Sequence, residues 1–286
     1  MDSKKMFTNH DISRYYDLSE VHYRRMWNLS RSRSLHYGYW DETTKNFHEA
    51  LLNINNVLAR FAGIKNGDSV LDAGCGVGGS SLWLASQRSC NVTGISLNAK
   101  QVQKAAAYAK EAGFSASLKF EQKNYLHTGY ASGSFDVIWA IESVCYADDK
   151  SEFMREAFRL LKQGGRVIVA DFFKADNLSQ NENDAVKRWA AGWAINDYAT
   201  LEDFQAGLHE TGFQDIKVQD ASEAILPSAK RLYRSYFIGK PAAMLYRLFN
   251  GKVTELSKNN VETAYQQYKT LKQGLWKYGI VKAVKY

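Results

Sequence analysis

Between Val70 and Ser81 the chain reads Val-Leu-Asp-Ala-Gly-Cys-Gly-Val-Gly-Gly-Ser-Ser: an apolar strand, four glycines in six positions, then the start of a helical run. A strand that breaks through glycines straight into a helix belongs to an alternating α/β chain. Gly74, Gly76 and Gly78 stand in G-x-G-x-G spacing. Without a Cβ they permit positive φ and let a ligand lie against the main chain. Asp72 precedes the first of them by two positions and is expected inside the turn. A carboxylate there repels a pyrophosphate held at a helix N-terminus and suits a cation, such as the ammonium of a methionine moiety. The expected ligand is therefore S-adenosylmethionine instead of NAD.

From about residue 45 to 220, short apolar strands alternate with amphipathic helices, as in a doubly wound, mostly parallel sheet. Strands are expected at Ser69–Ala73, 91–95, Leu118–Gln122, 135–140, 166–171 and 213–219. Helices are expected over 49–61, 80–86, 99–112 and 152–161, the last stopped by a left-handed cap at Gly164-Gly165. The alternation then fails. Residues 222–275 read as two or three helices rich in Tyr, Leu and Lys, and 276–285 alternates again as a final strand. The expected fold class is α/β, a seven-stranded Rossmann-like sheet with a helical cap or insertion. Its parts are a helical cap over 1–44, a cofactor-binding core over 45–221, a helical lid over 222–275 and the last strand over 276–286. The helical segment near 11–30 holds Tyr15, Tyr16, Tyr23 and Trp27, and it is placed to meet the lid over the ligand-binding edge.

Charge is uneven. Residues 221–286 carry 12 Lys/Arg against 3 Asp/Glu, more than the net +7 of the whole chain. The simplest reading is a set of solvated helices; the sharper one is peripheral contact with a membrane or lipid headgroups through 222–275. Nucleic acid is not an expected partner, because the basic residues are spread among apolar ones without a recognition motif. An oligomer is compatible with this composition. The cysteines Cys75, Cys90 and Cys145 are odd in number and lack C-x-x-C spacing, which points to a reduced protein without structural zinc. No apolar run approaches the ~20 residues that span a bilayer, and the polar start is no signal peptide, so a cytoplasmic location is expected.

Ligands in an open parallel sheet bind outside the carboxyl ends of the strands, so candidates follow from strand ends. After the second strand stand Ser96 and Leu97, with Gln101 one helical turn on, where an acid for ribose hydroxyls is missing. Asn98 and Ser96 also suit helix capping. Asn124 and Tyr125 follow the third strand: an amide for the adenine edge and a ring to cover it. Glu142 interrupts an apolar run after the fourth, and charged residues rarely enter such runs without a partner or a function. Ala140 before it and Cys75 in the turn complete the cofactor set with Asp72, Gly74, Gly76 and Gly78. Glu142, His36 and Tyr16 are the catalytic candidates, and no metal site is expected. Of the aromatics Tyr15, Tyr16, Trp27, Tyr37, Tyr39, Trp40, Trp189, Trp193, Tyr198 and Trp276, most are expected in the core, with a few lining an acceptor cavity.

At these residues the chain resembles the class I S-adenosylmethionine-dependent methyltransferases. Val70-Leu-Asp-Ala-Gly-Cys-Gly-Val-Gly-Gly resembles the family's first motif, and Leu160-Leu-Lys-Gln-Gly-Gly-Arg-Val its later Leu-Lys-Pro-Gly-Gly segment, with Gln163 for proline. Three segments are similar to the sterol, tocopherol and isoprenoid C-methyltransferases and their cyclopropane-synthase relatives. They are Tyr15-Tyr16-Asp17 followed by Leu35-His-Tyr-Gly-Tyr-Trp, then Gly94-Ile-Ser-Leu-Asn-Ala-Lys-Gln101, and Ala140-Ile-Glu-Ser-Val-Cys-Tyr-Ala. Tyr146 stands where those relatives carry His, and Asn124 where many carry Asp. The resemblance implies methyl transfer from S-adenosylmethionine to a small, largely apolar acceptor, C-methylation being favoured and N- or O-methylation the alternative. Two rivals stand beside it, a non-catalytic cofactor-binding protein and a nicotinamide-dependent oxidoreductase. The second is disfavoured by Asp72 and by the missing acid after the second strand.

Overall fold

The computed structural model describes residues 7–27, 29–250 and 255–286, with side chains described for all of these except 20–26, 30, 238–250 and 255–261. The side chain of Tyr23 and part of the expected lid thus lie outside the described residues. Seven strands form one sheet: β1 (Ser69–Ala73), β2 (Asn91–Ser96), β3 (Leu118–Gln122), β4 (Phe135–Ile141), β5 (Leu161–Lys174), β6 (Gln214–Asp220) and β7 (Trp276–Val284). Their order is β3-β2-β1-β4-β5-β7-β6, parallel from β3 through β5, with β7 antiparallel between β5 and β6. The order reverses between β1 and β4, which opens a crevice at their carboxyl ends.

Both faces of the sheet are covered, and so its central strands read as nearly unbroken apolar runs. Val70, Val92, Val137, Trp139 and Ile168 join one core with α3 (Phe47–Ala62), α4 (Gly79–Arg88) and α5 (Ala99–Glu111). Leu71, Ile138, Val167 and Val169 alternate with them and join a second core with α6 (Lys150–Leu160) and α8 (Leu201–Thr211). Helix starts are set by side chains that accept from the first turn: Asn46 for α3, Asn98 for α5, Asp149 for α6 and Thr200 for α8. A Ser179/Glu182 capping box opens α7 (Gln180–Gly192).

The end of α6 differs from the sequence expectation. Leu161, extended at φ −72° and ψ 138°, closes the helix and opens β5 at once. Gly164 is left-handed at φ +76°, but it lies inside β5, where its N–H donates to the Lys285 carbonyl at 2.8 Å. The reason is the last strand. Lys285 also donates its own N–H to the Gly165 carbonyl at 2.8 Å, so residues 161–165 gain sheet partners that a free turn would lack.

The helical segments that precede β1 and β7 meet at a strap. At the front, α1 (Asn9–Met26) and α2 (Leu29–Ser32) lead into a strap over residues 33–41; at the back, α9 (Ser222–Asn250) and α10 (Glu255–Lys272) precede β7. Asp17 on α1 accepts from Asn98 Nδ2 at 2.8 Å and pairs with Lys100 Nζ at 2.7 Å, which ties α1 to the start of α5. Tyr37 Oη donates to Gln267 Oε1 at 2.7 Å, and Trp40 Nε1 to Ser228 Oγ at 2.9 Å, which ties the strap to α10 and α9. Behind it Trp189 stacks between Tyr198 and Trp276 at 4.6 Å on each side, within a cluster that includes Tyr37, Phe172, Trp193 and Tyr278. These rings are core. No helix among the described residues is long and apolar enough to cross a membrane.

Candidate active site

A cleft of about 970 Å³, part of it open to solvent, lies outside the carboxyl ends of β1, β2 and β4, beneath α1 and residues 33–36. Its floor is the glycine turn. Gly74 and Gly76 have φ of +94° and +53°, and a Cβ on Gly74 would collide with the Cβ of Ser143. Here glycine is required both by the backbone and by the close approach of the segment after β4.

Asp72 is placed in β1 and not in the turn, as the final side chain but one of the strand. It lines the cleft at 3% exposure and accepts from Ser81 Oγ at 2.6 Å. Burial pushes its carboxyl up to about 7, against the opposing pull of the Ser81 hydrogen bond. A cation beside it would favour the carboxylate. Ser96 Oγ donates to Gln101 Oε1 at 2.8 Å, which leaves the Nε2 hydrogens of Gln101 as its donors to a ligand. Asn98 caps α5 and also lines the cleft, so capping and lining coexist in this turn. Leu97, Asn124 and Tyr125 line the same space; Asn124 Oδ1 accepts from Leu126 N–H at 2.9 Å, and Tyr125 Oη donates to the Ser143 carbonyl at 2.9 Å.

Two residues of the sequence-derived set do not line the cleft. Gly78, at φ +82°, is the N-cap residue of α4 and packs where a Cβ would lie 2.9 Å from Ala105 Cβ and 3.0 Å from Phe120. Ala140 points into the core shared with α6 and is 1% exposed. Cys75 lines the cleft, with its thiol pushed far up by burial and the nearby Asp72 carboxyl. A thiol so held is a packing group.

Glu142 follows β4 in the left-handed region, φ +48°, and its N–H donates to the Ala170 carbonyl at 2.8 Å. Its Oε1 accepts from Tyr37 N–H at 2.7 Å and from Tyr278 Oη at 2.9 Å. Burial nonetheless pushes the carboxyl up to about 8. His36 and Tyr16 also line the cleft, and Tyr16 Oη donates to Tyr146 Oη at 3.2 Å. The aromatic wall is therefore Tyr16, Tyr125 and Tyr146, while the tryptophans stay outside it.

Several contributors carry little sequence signal. Lys150, half-buried, donates to the carbonyls of Cys145, Ala147 and Asp197, and Asp171 accepts from Cys145 N–H at 2.9 Å; together they hold the segment after Glu142. Arg33 adopts φ +51° and its carbonyl presses on Gly79, where any Cβ would collide with it. The fourth glycine of the turn was the readable sign of that approach.

Residues 71–169 match the family of methyltransferase domains. Over 221 residues the chain is 32% identical to 27-O-demethylrifamycin SV methyltransferase of Amycolatopsis mediterranei, covering 77% of this chain and 80% of that protein. The chain belongs to the S-adenosylmethionine-dependent methyltransferases. A second relative of this methyltransferase is 2-methyl-6-phytyl-1,4-hydroquinone methyltransferase of Synechocystis, 28% identical over 262 residues, covering 88% of this chain and 80% of the relative. The fold is shared with geranyl diphosphate C-methyltransferase from Streptomyces coelicolor, at TM-score 0.74 and 20% identity, over 97% of this chain and 98% of that one. The residues of the methyltransferase suit its cofactor: a glycine turn with positive φ at Gly74 and Gly76, and the buried carboxyl of Asp72, line the same cleft.

Proposed function

We propose that this methyltransferase alkylates a small, largely apolar metabolite inside the cleft. One observation carries the reading: the glycine turn and Glu142 face a single space, roofed by the cap and walled by Tyr16, Tyr125 and Tyr146. Bound S-adenosylmethionine supplies an electrophilic methyl group. Asp72 and the main chain of Gly74 and Gly76 would hold its amino-acid end, Ser96, Leu97 and Gln101 its ribose, and Asn124 with Tyr125 its adenine. Glu142 and Tyr16 would face the acceptor, and α1 with residues 33–36 would exclude water. Rate acceleration would come mainly from alignment in this closed space. The α9–α10 pair would back the strap through Tyr37 and Trp40, while α1 and residues 33–36 line the cleft itself.

The aromatic wall favours a planar or isoprenoid-like acceptor, methylated at carbon. A second reading, methyl transfer to oxygen, is favoured by the Nε2 of His36, which has no hydrogen-bond partner among the described residues. Methyl-labelled S-adenosylmethionine offered with phenols, hydroquinones, macrolide alcohols and prenyl compounds tests both. Label in a small product is expected, and its position on carbon or oxygen separates them. Label in protein or RNA, or absence of cofactor binding, would overturn the proposal.

A further inference from the structure

We infer that His36 Nε2 is the hydrogen-bond acceptor for a hydroxyl of the methyl-acceptor substrate, which makes His36 a specificity-determining residue for O–H-bearing acceptors. The inference rests on the cleft being the methyltransferase site proposed above. His36 Nδ1 lies 2.9 Å from the Tyr37 carbonyl oxygen. A carbonyl only accepts, so Nδ1 carries the ring proton and Nε2 holds a lone pair. Burial keeps the ring neutral by pushing its pKa down to about 4. The residue is 7% exposed and lines the cleft, and its Nε2 is buried without a hydrogen-bond partner among the described residues. Such an acceptor is costly to leave unmet, so a ligand that brings a donor is favoured there.

Its neighbours fix where in the cleft it stands. Leu35 reaches the glycine turn, its Cδ1 lying 3.2 Å from where a Cβ on Gly76 would be. On the other side Tyr37 N–H donates to Glu142 Oε1 at 2.7 Å. His36 thus stands between a residue that reaches the cofactor turn and one that binds Glu142, and it lines the cleft with that turn and Glu142. Glu142 is the poorer receiver of a hydrogen, because its Oε1 already takes two donors and its carboxyl stays largely protonated near neutrality. An alkene carbon brings no donor and would leave Nε2 unmet. An amine arrives near neutral pH as an ammonium, whose burial against a neutral imidazole is disfavoured. A hydroxyl on an apolar ring satisfies Nε2 and lies against the tyrosine wall.

The test uses trimethylhydroquinone and its dimethyl ether, each titrated anaerobically into wild-type protein saturated with S-adenosylhomocysteine. The hydroquinone should bind about tenfold or more tightly than the ether, the worth of one buried hydrogen bond. The nitrogen NMR signal of His36 Nε2 should move with the hydroquinone and not with the ether. In His36→Phe the preference should fall below about twofold, with cofactor affinity unchanged. The wild-type comparison and the nitrogen signal stand even where that variant fails to fold. Equal binding of the two probes, or binding of neither while S-adenosylhomocysteine still binds, overturns the inference. A folded His36→Phe that loses S-adenosylhomocysteine overturns it too, since Nε2 would then serve the cofactor. Failure of the wild type to bind S-adenosylhomocysteine instead strikes the methyltransferase site itself, and the inference with it.

Discussion

Tyr278 Oη donates to Glu142 Oε1 at 2.9 Å, so the last strand of the sheet reaches the carboxyl at the end of β4, 136 residues earlier in the chain. Tyr37 N–H approaches the same oxygen at 2.7 Å from the strap. With its own N–H on the Ala170 carbonyl of β5, Glu142 is held by three elements at once, in a left-handed backbone conformation that an unconstrained glutamate would avoid.

Tyr278→Phe removes one of those donors and leaves the ring in its aromatic cluster. Unfolding in urea should show a loss of about 1 kcal/mol. That hydrogen bond favours the ionised carboxyl, so its loss should move the Glu142 limb of the pH–rate profile to higher pH. An unmoved profile would mean that Glu142 does not titrate in turnover.

Stability of the ligand-free protein should fall as pH rises above neutrality. Glu142 and Asp72 have folded pKa values of about 8 and about 7, raised by burial from 4.5 and 3.8. The folded state then holds more protons than the unfolded one, so their contribution is full below about 4 and is lost through about 8. His36, lowered to about 4 from 6.5, acts in the opposite sense between those two values. The decline should thus be cleanest between about pH 6.5 and 8.5. Thermal unfolding across that window should show a falling Tm in the wild type and a flatter curve in Glu142→Gln.

Cofactor binding should release a proton near pH 6, because a cation beside Asp72 favours its carboxylate. Calorimetric titration in two buffers of different ionisation enthalpy measures the release. Asp72→Asn keeps an acceptor for Ser81 but has no charge to offer, so it should bind S-adenosylmethionine about tenfold or more weakly and release no proton.

Gly74→Ala should cost more than Gly63→Ala. Both glycines are left-handed, at φ +94° and +64°, but a Cβ at Gly63 meets nothing within 4 Å, whereas one at Gly74 strikes Ser143. Gly63→Ala should lose only the backbone term of about 1–2 kcal/mol. Gly74→Ala adds overpacking of about 1–3 kcal/mol and should also abolish cofactor binding, read by denaturant melts and titration.

Strand placement is the part of the fold most legible in sequence. β1 and β3 fall where the apolar pattern puts them to the residue, because local alternation and turn residues define both ends. β5 starts five residues earlier than its apolar run, because Leu161 pairs with Phe135 of β4 and Gly164 and Gly165 bond to Lys285 just past β7, and not because of their own composition. Within the site, strand ends lead to Asp72, Ser96, Asn124 and Glu142, all of which line the cleft. Gly78 shows the limit: a motif glycine looks the same whether a ligand or Phe120 lies against it.

Read alone, the sequence determines an alternating α/β chain, a glycine turn behind an acid, and from these the cofactor class. Those are properties of neighbouring residues, set by periodicity, backbone freedom and local charge. Only the tertiary structure decides that Tyr278 and Tyr37 grip Glu142, that His36 carries its proton on Nδ1, and that Arg33 closes on Gly79. Each of these pairings depends on where distant or sharply turned segments come to rest. A side chain's type states what bond it can make, and packing alone chooses the partner.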